Sequence, residues 1–184
     1  MANIAFVRVQ KECKEIILCK ELQDDGVTIE PLNETLFEIV GKIRGPPDSP
    51  YEDGLKSEYR RSIHSYLQRL NLRHAFGTRT LEQWAASMTL RTVLLSVQLL
   101  LLSPEPSDPQ DAIVAKQCMS DPALFKSTAK YWSQHYASAP GDRDKNMAKS
   151  VSKLEEMGAT MDASISALSC YNWNLAKATE FLFT

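Results

Sequence analysis

The chain has 184 residues, with 21 lysines and arginines against 23 aspartates and glutamates, so its formal net charge is −2. Hydrophobic residues make up 43% and charged residues 24%, which is typical of a globular protein rather than a disordered or fibrous one. This near-neutral balance argues against a nucleic-acid partner. No membrane contact through a spanning segment is expected, because the longest apolar stretch, residues 93–102, is too short to cross a bilayer.

The cysteines give no sign of a metal or disulfide framework. Cys13, Cys19, Cys118 and Cys170 form no Cys-x-x-Cys pattern and have no histidine close by in the sequence. We therefore expect no metal, no other cofactor and no disulfide, which favours a reducing compartment. The N-terminus also lacks the pattern of a signal peptide, so the cytoplasm or the nucleus is the expected location.

The first third of the chain predicts a helix followed by strands. Residues 3–22 carry apolar side chains at helical spacing, and residues 27–30 and 36–43 are rich in branched residues typical of strands. A proline-rich turn follows at residues 45–50. The basic stretch at residues 57–72 predicts an amphipathic helix, interpreted as a solvated helix with one packed face or, alternatively, a contact for an acidic partner or membrane surface.

The rest of the chain is predicted to be helical. Residues 89–102 are apolar on nearly every side, which predicts a buried central helix. Asp108 and Asp121 each precede a proline, which predicts helices at residues 109–119 and 122–136. After a linker around Pro140-Gly141, three short patterns at residues 147–157, 161–169 and 175–183 predict a minimal three-helix bundle, with Trp173 as its large core residue and Asn174 as a cap.

Several stretches resemble the ubiquitin-conjugating enzyme family. Residues 45–54 (GPPDSPYEDG) are similar to its proline-rich turn, and residues 84–98 and 104–112 (PEPSDPQDA) to two later motifs. The C-terminal bundle resembles a UBA domain in residues 154–159 (LEEMGA), 167–168 and 173–180 (WNLAKATE). This resemblance covers residues 1–54 and 84–184 and leaves out residues 55–83.

The resemblance implies an α+β, UBC-like fold: an N-terminal helix, an antiparallel sheet and C-terminal helices, plus a three-helix UBA bundle. We expect the sheet to be truncated, because residues 55–83 are too few for the remaining strands and the active-site segment. The expected organisation is a UBC-like domain at residues 1–137, a linker at 138–146 and a UBA domain at 147–184. The implied partners are ubiquitin, the ubiquitin-activating enzyme and ubiquitin ligases, in a class that builds polyubiquitin chains.

The family's catalytic residue has no counterpart in this chain. Family members transfer ubiquitin through a cysteine thioester, and the cysteine stands between a His-Pro-Asn motif and a tryptophan like Trp84. Here no cysteine lies between Cys19 and Cys118, and His74 is followed by Ala75. We expect no catalytic residue and no thioester. The alternatives are an active conjugating enzyme of which this chain is an aberrant isoform or gene model, and a remnant whose first domain does not fold.

One hypothesis explains the unusual stretch. Residues 75–81 (AFGTRTL) can be encoded by GCATTTGGCACCCGAACATTA, which read two bases later gives Ile-Trp-His-Pro-Asn-Ile, the family's missing motif. Residues 55–81 would then be a frame-shifted translation of the strand region. Sequencing the transcript tests this hypothesis.

The resemblance also supplies candidate binding residues. Ubiquitin is expected to contact Met157, Gly158, Ala159 and Phe183, and Ala159 stands where an aromatic residue is usual, which predicts weaker binding. A place in the bundle core is the alternative for Met157 and Phe183. The remaining candidates are the activating-enzyme contacts Arg8, Lys11 and Lys14, and the ligase-facing loop Trp84, Ala85, Ala86, Ser87 and Met88.

Overall fold

The structure is a computed structural model that describes residues 4–31, 39–52, 89–107, 109 and 111–184, with the backbone alone at residues 4–6 and 31. The predicted basic helix, the loop at residues 84–88, residues 36–38 of the second strand and Asp108 lie outside the described residues. The described elements, in chain order, are α1 (Ile4–Leu18), α2 (Lys20–Asp24), β1 (Val27–Pro31), β2 (Ile39–Ile43), α3 (Leu90–Leu102), α4 (Ala112–Ser120), α5 (Pro122–Tyr136), α6 (Lys145–Glu156), α7 (Met161–Cys170) and α8 (Leu175–Phe183).

The N-terminal helix is shorter than predicted. α1 ends at Leu18, and Cys19 adopts an extended conformation (φ −82°, ψ 103°) before the short α2 begins. The prediction of one continuous helix over residues 3–22 was therefore wrong. The bend has a packing reason, since it brings Leu22 into the core, where its side chain is 1% exposed.

The two predicted strands pair with each other. β1 and β2 are antiparallel, with Val27 opposite Ile43 and Pro31 opposite Ile39. Val27 and Ile43 are buried. A Cβ at Gly41 would clash with Leu94, so the absence of a side chain lets α3 approach β2 closely.

The central helix forms where the sequence predicted it. Thr89 and Thr92 make a reciprocal capping box at the start of α3. The expectation that α3 is buried on every side was wrong, because Leu99 and Leu102 are 63% and 51% exposed while Leu100 and Leu101 are buried. Among the described elements, α3 packs mainly against α1 and β2.

Helices α4 and α5 both begin at an aspartate. The prediction for α5 was accurate: Asp121 caps it by accepting a hydrogen bond from the amide of Leu124 at 2.9 Å. The α4 helix begins at Ala112 rather than at residue 109, because Asp111 is its cap and accepts hydrogen bonds from the amides of Ile113 and Val114. Both helices thus begin at a side-chain cap that satisfies otherwise unpaired amides.

The last three helices pack around a small apolar core, and their predicted positions were accurate to within two residues. Asp144, Thr160 and Asn174 cap their first turns. The core is formed by Met147, Val151, Leu154, Ile165, Leu168 and Ala178. In the part of the chain that the structure describes, no helix has the length and apolar character needed to span a membrane.

Trp173, predicted as the bundle's large core residue, packs against the apolar core and also reaches α5. Trp173 is half-buried, and its Nε1 donates a hydrogen bond to Oγ1 of Thr128 on α5 at 2.9 Å. Its ring meets that of Tyr131 edge to face, with centroids 5.1 Å apart. The backbone at this turn has positive φ angles at Asn172 (52°) and Trp173 (60°).

Candidate functional site

Two of the predicted ubiquitin-contact residues in the C-terminal bundle are exposed apolar side chains. Met157, directly after α6, is 52% exposed, and Phe183, the last residue of α8, is 47% exposed. The alternative that these two residues form the bundle core was therefore wrong. We call Met157 and Phe183 the exposed apolar surface; both are available for contact with another protein.

The backbone after α6 explains why Met157 projects. Gly158 has a φ of +101°, and its amide donates to the carbonyl of Glu155 at 2.9 Å. The amide of Ala159 donates to the carbonyl of Leu154 at 3.0 Å, so the last carbonyls of α6 are satisfied. A Cβ at position 158 would meet no neighbouring atom, so it is the left-handed backbone that favours glycine here.

The residues beside this surface differ in their packing. Ala159 is half-buried and packs against the bundle core. Phe181 is 61% exposed and its ring lies 5.4 Å from that of Tyr171. Sequence reasoning missed Phe181, because a spacing of two residues places it on a different face of α8 from Phe183.

The basic candidates lie on α1. Lys11 and Lys14 are exposed. Arg8 is half-buried, and its Nε donates to Oε1 of Glu12 at 2.8 Å. Two of the three side chains thus present their charge to solvent, and the third is engaged within its own helix.

Two of the thiols, Cys13 and Cys118, lie in unfavourable surroundings for nucleophilic chemistry. Burial raises the pKa of Cys13, and the charge of Glu12 raises it further. Burial also raises the pKa of Cys118. Since the thiolate is the nucleophile, both shifts lower the reactive fraction. Within the described ranges, no three His, Cys, Asp or Glu side chains form a group that could hold a metal ion.

Comparisons with known proteins agree with this architecture. The family model "Ubiquitin-conjugating enzyme" matches residues 73–133. Ubiquitin-conjugating enzyme E2 21 of Caenorhabditis elegans is 37% identical, over 100% of this chain and 93% of its own. Ubiquitin-conjugating enzyme E2 K of Homo sapiens is 38% identical, over 100% of both chains.

A solved structure shows a similar fold. A crystal structure from Plasmodium yoelii, assigned to the ubiquitin-conjugating enzymes, is 29% identical with a TM-score of 0.58, covering 76% of this chain and 99% of that one. The helices, the antiparallel strands and these relatives together define a UBC-like fold. The chain belongs to the ubiquitin-conjugating enzyme family.

The comparisons also adjust the limits of the resemblance. The family match begins at Arg73, inside the stretch 55–83 that sequence reasoning had left out. The excluded stretch was therefore drawn too widely, because residues 73–83 carry enough similarity to be matched together with the motif that follows. The alignment with the human relative has 200 positions for a chain of 184 residues, so it leaves positions of that relative without a counterpart in this chain.

Proposed function

We propose that this family member binds ubiquitin through its C-terminal bundle and does not form the ubiquitin thioester. The observation that carries the proposal is the placement of the four cysteines: none stands between residues 20 and 117, where the resemblance puts the nucleophile. Without a thiol at that place, the acyl group of ubiquitin has no acceptor there.

The other thiols give little support for a substitute nucleophile. Cys13 faces the core from α1, where it is 4% exposed, and Cys118 is half-buried late in α4. Both have raised pKa values. Cys170 ends α7 in the bundle. A catalytic cysteine needs access and a lowered pKa, so the surroundings of Cys13 and Cys118 favour structural roles.

The proposed binding module is a UBA domain at residues 147–184, joined by residues 138–146 to a UBC-like domain at residues 1–137. Its ubiquitin contacts are Met157, Gly158, Ala159 and Phe183. The exposed apolar surface supports this assignment, and its small area predicts a weak dissociation constant, nearer about 100 μM than 1 μM.

Further partners follow from the family. Lys11 and Lys14 are exposed on α1 and, with Arg8, are proposed to meet the ubiquitin-activating enzyme. The loop from Trp84 to Met88 is proposed to meet ubiquitin ligases. The proposed location is the cytoplasm or the nucleus.

Two measurements test the proposal. The first incubates the chain with activating enzyme, ATP and ubiquitin, and seeks a ubiquitin adduct that reductant removes; we expect none. The second titrates the labelled full chain with ubiquitin and follows NMR shifts at residues 157–159 and 183. A reductant-sensitive adduct would instead support the alternative of an active enzyme, which the names and full-length alignment of the relatives favour.

A further inference from the structure

The bundle packs against α4 and α5 through residues that include Asp162, Ser169, Asn172 and Trp173, which we call the docking face. Asp162 and Ser169 are seven residues apart on α7 and therefore share a side of that helix. Asn172 and Trp173 follow in the turn before α8. The docking face is thus built from one helix and the turn that ends it.

Every member of the docking face makes a hydrogen bond to α4 or α5. Ser169 Oγ accepts from Nε1 of Trp132 at 2.8 Å, and Asp162 Oδ1 accepts from the hydroxyl of Tyr136 at 2.7 Å. Asn172 Oδ1 accepts from Nε2 of Gln117 at 2.9 Å. Trp173 Nε1 donates to Thr128 Oγ1.

The partners of the docking face on α4 and α5 are all buried. Gln117, Thr128, Trp132 and Tyr136 are each at most 7% exposed. Polar groups at buried positions need hydrogen-bond partners, and here the bundle supplies them. The linker is tied down as well, because Nε2 of the buried Gln134 donates to the carbonyl of Asp142 at 3.1 Å.

The backbone of the turn is shaped for this contact. Asn172 and Trp173 are consecutive non-glycine residues with positive φ, a conformation that L-residues disfavour. Both side chains reach the first domain, one to α4 and the other to α5. Strained backbone persists where surrounding contacts over-determine it, and the docking contacts do so here.

The exposed apolar surface is separate from the docking face. Met157 precedes α7 and Phe183 ends α8, and their exposures of 52% and 47% are those of the bundle in its docked position. We infer that the bundle is a fixed ubiquitin-binding unit: α4 and α5 hold it through the docking face, and ubiquitin binds the exposed apolar surface without releasing it. This inference rests on the proposed ubiquitin binding. Its consequence is that a bound ubiquitin keeps one position relative to α5 instead of moving on a free linker.

The full-length chain offers two direct reporters of docking. The indole N–H groups of Trp132 and Trp173 both donate across the interface, and only one further tryptophan, Trp84, is present in the sequence. With ¹⁵N-labelled protein, we expect the amides of α5 and α8 to show the same rotational correlation time. Saturation with ubiquitin is expected to shift the signals of residues 157–159 and 183 and to leave the Trp132 and Trp173 indole signals in place.

A matched pair of variants separates docking from binding. Asp162→Ala with Ser169→Ala removes two acceptors of the docking face, and Ser152→Ala with Glu156→Ala changes an exposed serine and glutamate of α6 as the control. We expect the bundle to tumble independently of α5 in the docking variant and not in the control variant. The ubiquitin dissociation constant of the docking variant should stay within about twofold of the parent's. Should the docking variant fail to fold, Trp132→Phe removes one donor and keeps an aromatic ring.

Three results would overturn the inference while leaving ubiquitin binding itself in place. The bundle of the unaltered chain could tumble independently of α5. The indole signals of Trp132 and Trp173 could shift to new positions when ubiquitin binds. The docking variant could bind ubiquitin about tenfold more tightly or more. The last two would mean that docking and ubiquitin compete. Absence of any ubiquitin binding would overturn the proposed function and this inference together. That outcome would be recognised by signals of residues 157–159 that do not shift on addition of ubiquitin, while the amides of α5 and α8 still show equal correlation times.

Discussion

The carboxylate of Glu12 on α1 accepts a hydrogen bond at its Oε2 from the backbone amide of Leu90, 78 residues later, at 2.9 Å. Leu90 is the first residue of α3, so a negative charge lies at the positive end of that helix dipole. The other carboxylate oxygen of Glu12 holds Arg8. One side chain therefore joins the N-terminal helix to the start of the central helix.

This link gives the first prediction. Glu12→Ala is expected to lower the free energy of unfolding by about 1–3 kcal/mol, because it leaves the Leu90 amide without its charged acceptor. The control is Glu15→Ala, since Glu15 is exposed on the same helix. Urea unfolding followed by circular dichroism measures both. Equal losses for the two variants would contradict the assigned role of Glu12.

The second prediction concerns catalysis. Replacing all four cysteines by serine is expected to leave the gel pattern of a charging reaction unchanged, because the parent chain forms no ubiquitin thioester. The activating enzyme's own thioester, formed in the same tube, shows that the reaction is competent. A reductant-sensitive adduct present on the parent and lost in the variant would refute the proposal that the chain is inactive.

Met157 gives the third prediction. Met157→Lys is expected to weaken ubiquitin binding by about tenfold or more, because a charge replaces an apolar contact that binding would bury. The thermal midpoint should change little, since the side chain is 52% exposed. Met119→Lys is the matched control, as Met119 is 61% exposed on α4, outside the bundle. Loss of folding in the Met157 variant would count against its role as a surface contact.

Ala159 gives the fourth prediction. Ala159→Phe is expected to tighten ubiquitin binding by about three- to tenfold, because it restores aromatic area beside Met157. The readout is the dissociation constant from an NMR titration of the full chain. Ala123→Phe, at an exposed position of α5, controls for added hydrophobicity. Unchanged or weaker binding in a folded Ala159→Phe variant would show that an aromatic residue at this position does not strengthen ubiquitin binding.

The fifth prediction is a pH dependence. Burial lowers the pKa of His135 from its ordinary value of 6.5, and the charge of Arg143 lowers it further, against the opposing effects of Asp162 and Glu155. As the pH falls through 6.5, the unfolded chain therefore takes up a proton before the folded chain does, and stability falls. This contribution is fully present above the unfolded pKa.

The measurement is the free energy of unfolding of the parent and of His135→Gln at about pH 7.5 and pH 5.5. The parent should lose more stability than the variant between these two values. The His74→Gln variant controls for the removal of a histidine elsewhere in the sequence. An identical pH dependence in the parent and the His135 variant would show that His135 does not contribute to the loss of stability at low pH.

The sequence by itself determined where most helices begin, because a cap is a local arrangement. Asp121 before Pro122 and Asn174 before Leu175 cap the helices that they were expected to precede. Thr89, predicted as the first residue of its helix, is the cap instead. Each needs only a side-chain oxygen near the amides of the next turn. The family motifs can also be read directly from the sequence, and so can the absence of a cysteine between residues 20 and 117.

Tertiary structure decided what those helices meet. The sequence pattern suggested a core role for Trp173 but did not reveal its hydrogen bond to Thr128 on α5. The exposure of Met157 and Phe183, the bend at Cys19 and the bond between Glu12 and Leu90 depend likewise on how distant parts pack. Periodicity predicts that a helix has an apolar face, but the partner of that face is set by contacts between residues far apart in the chain, which local spacing does not encode.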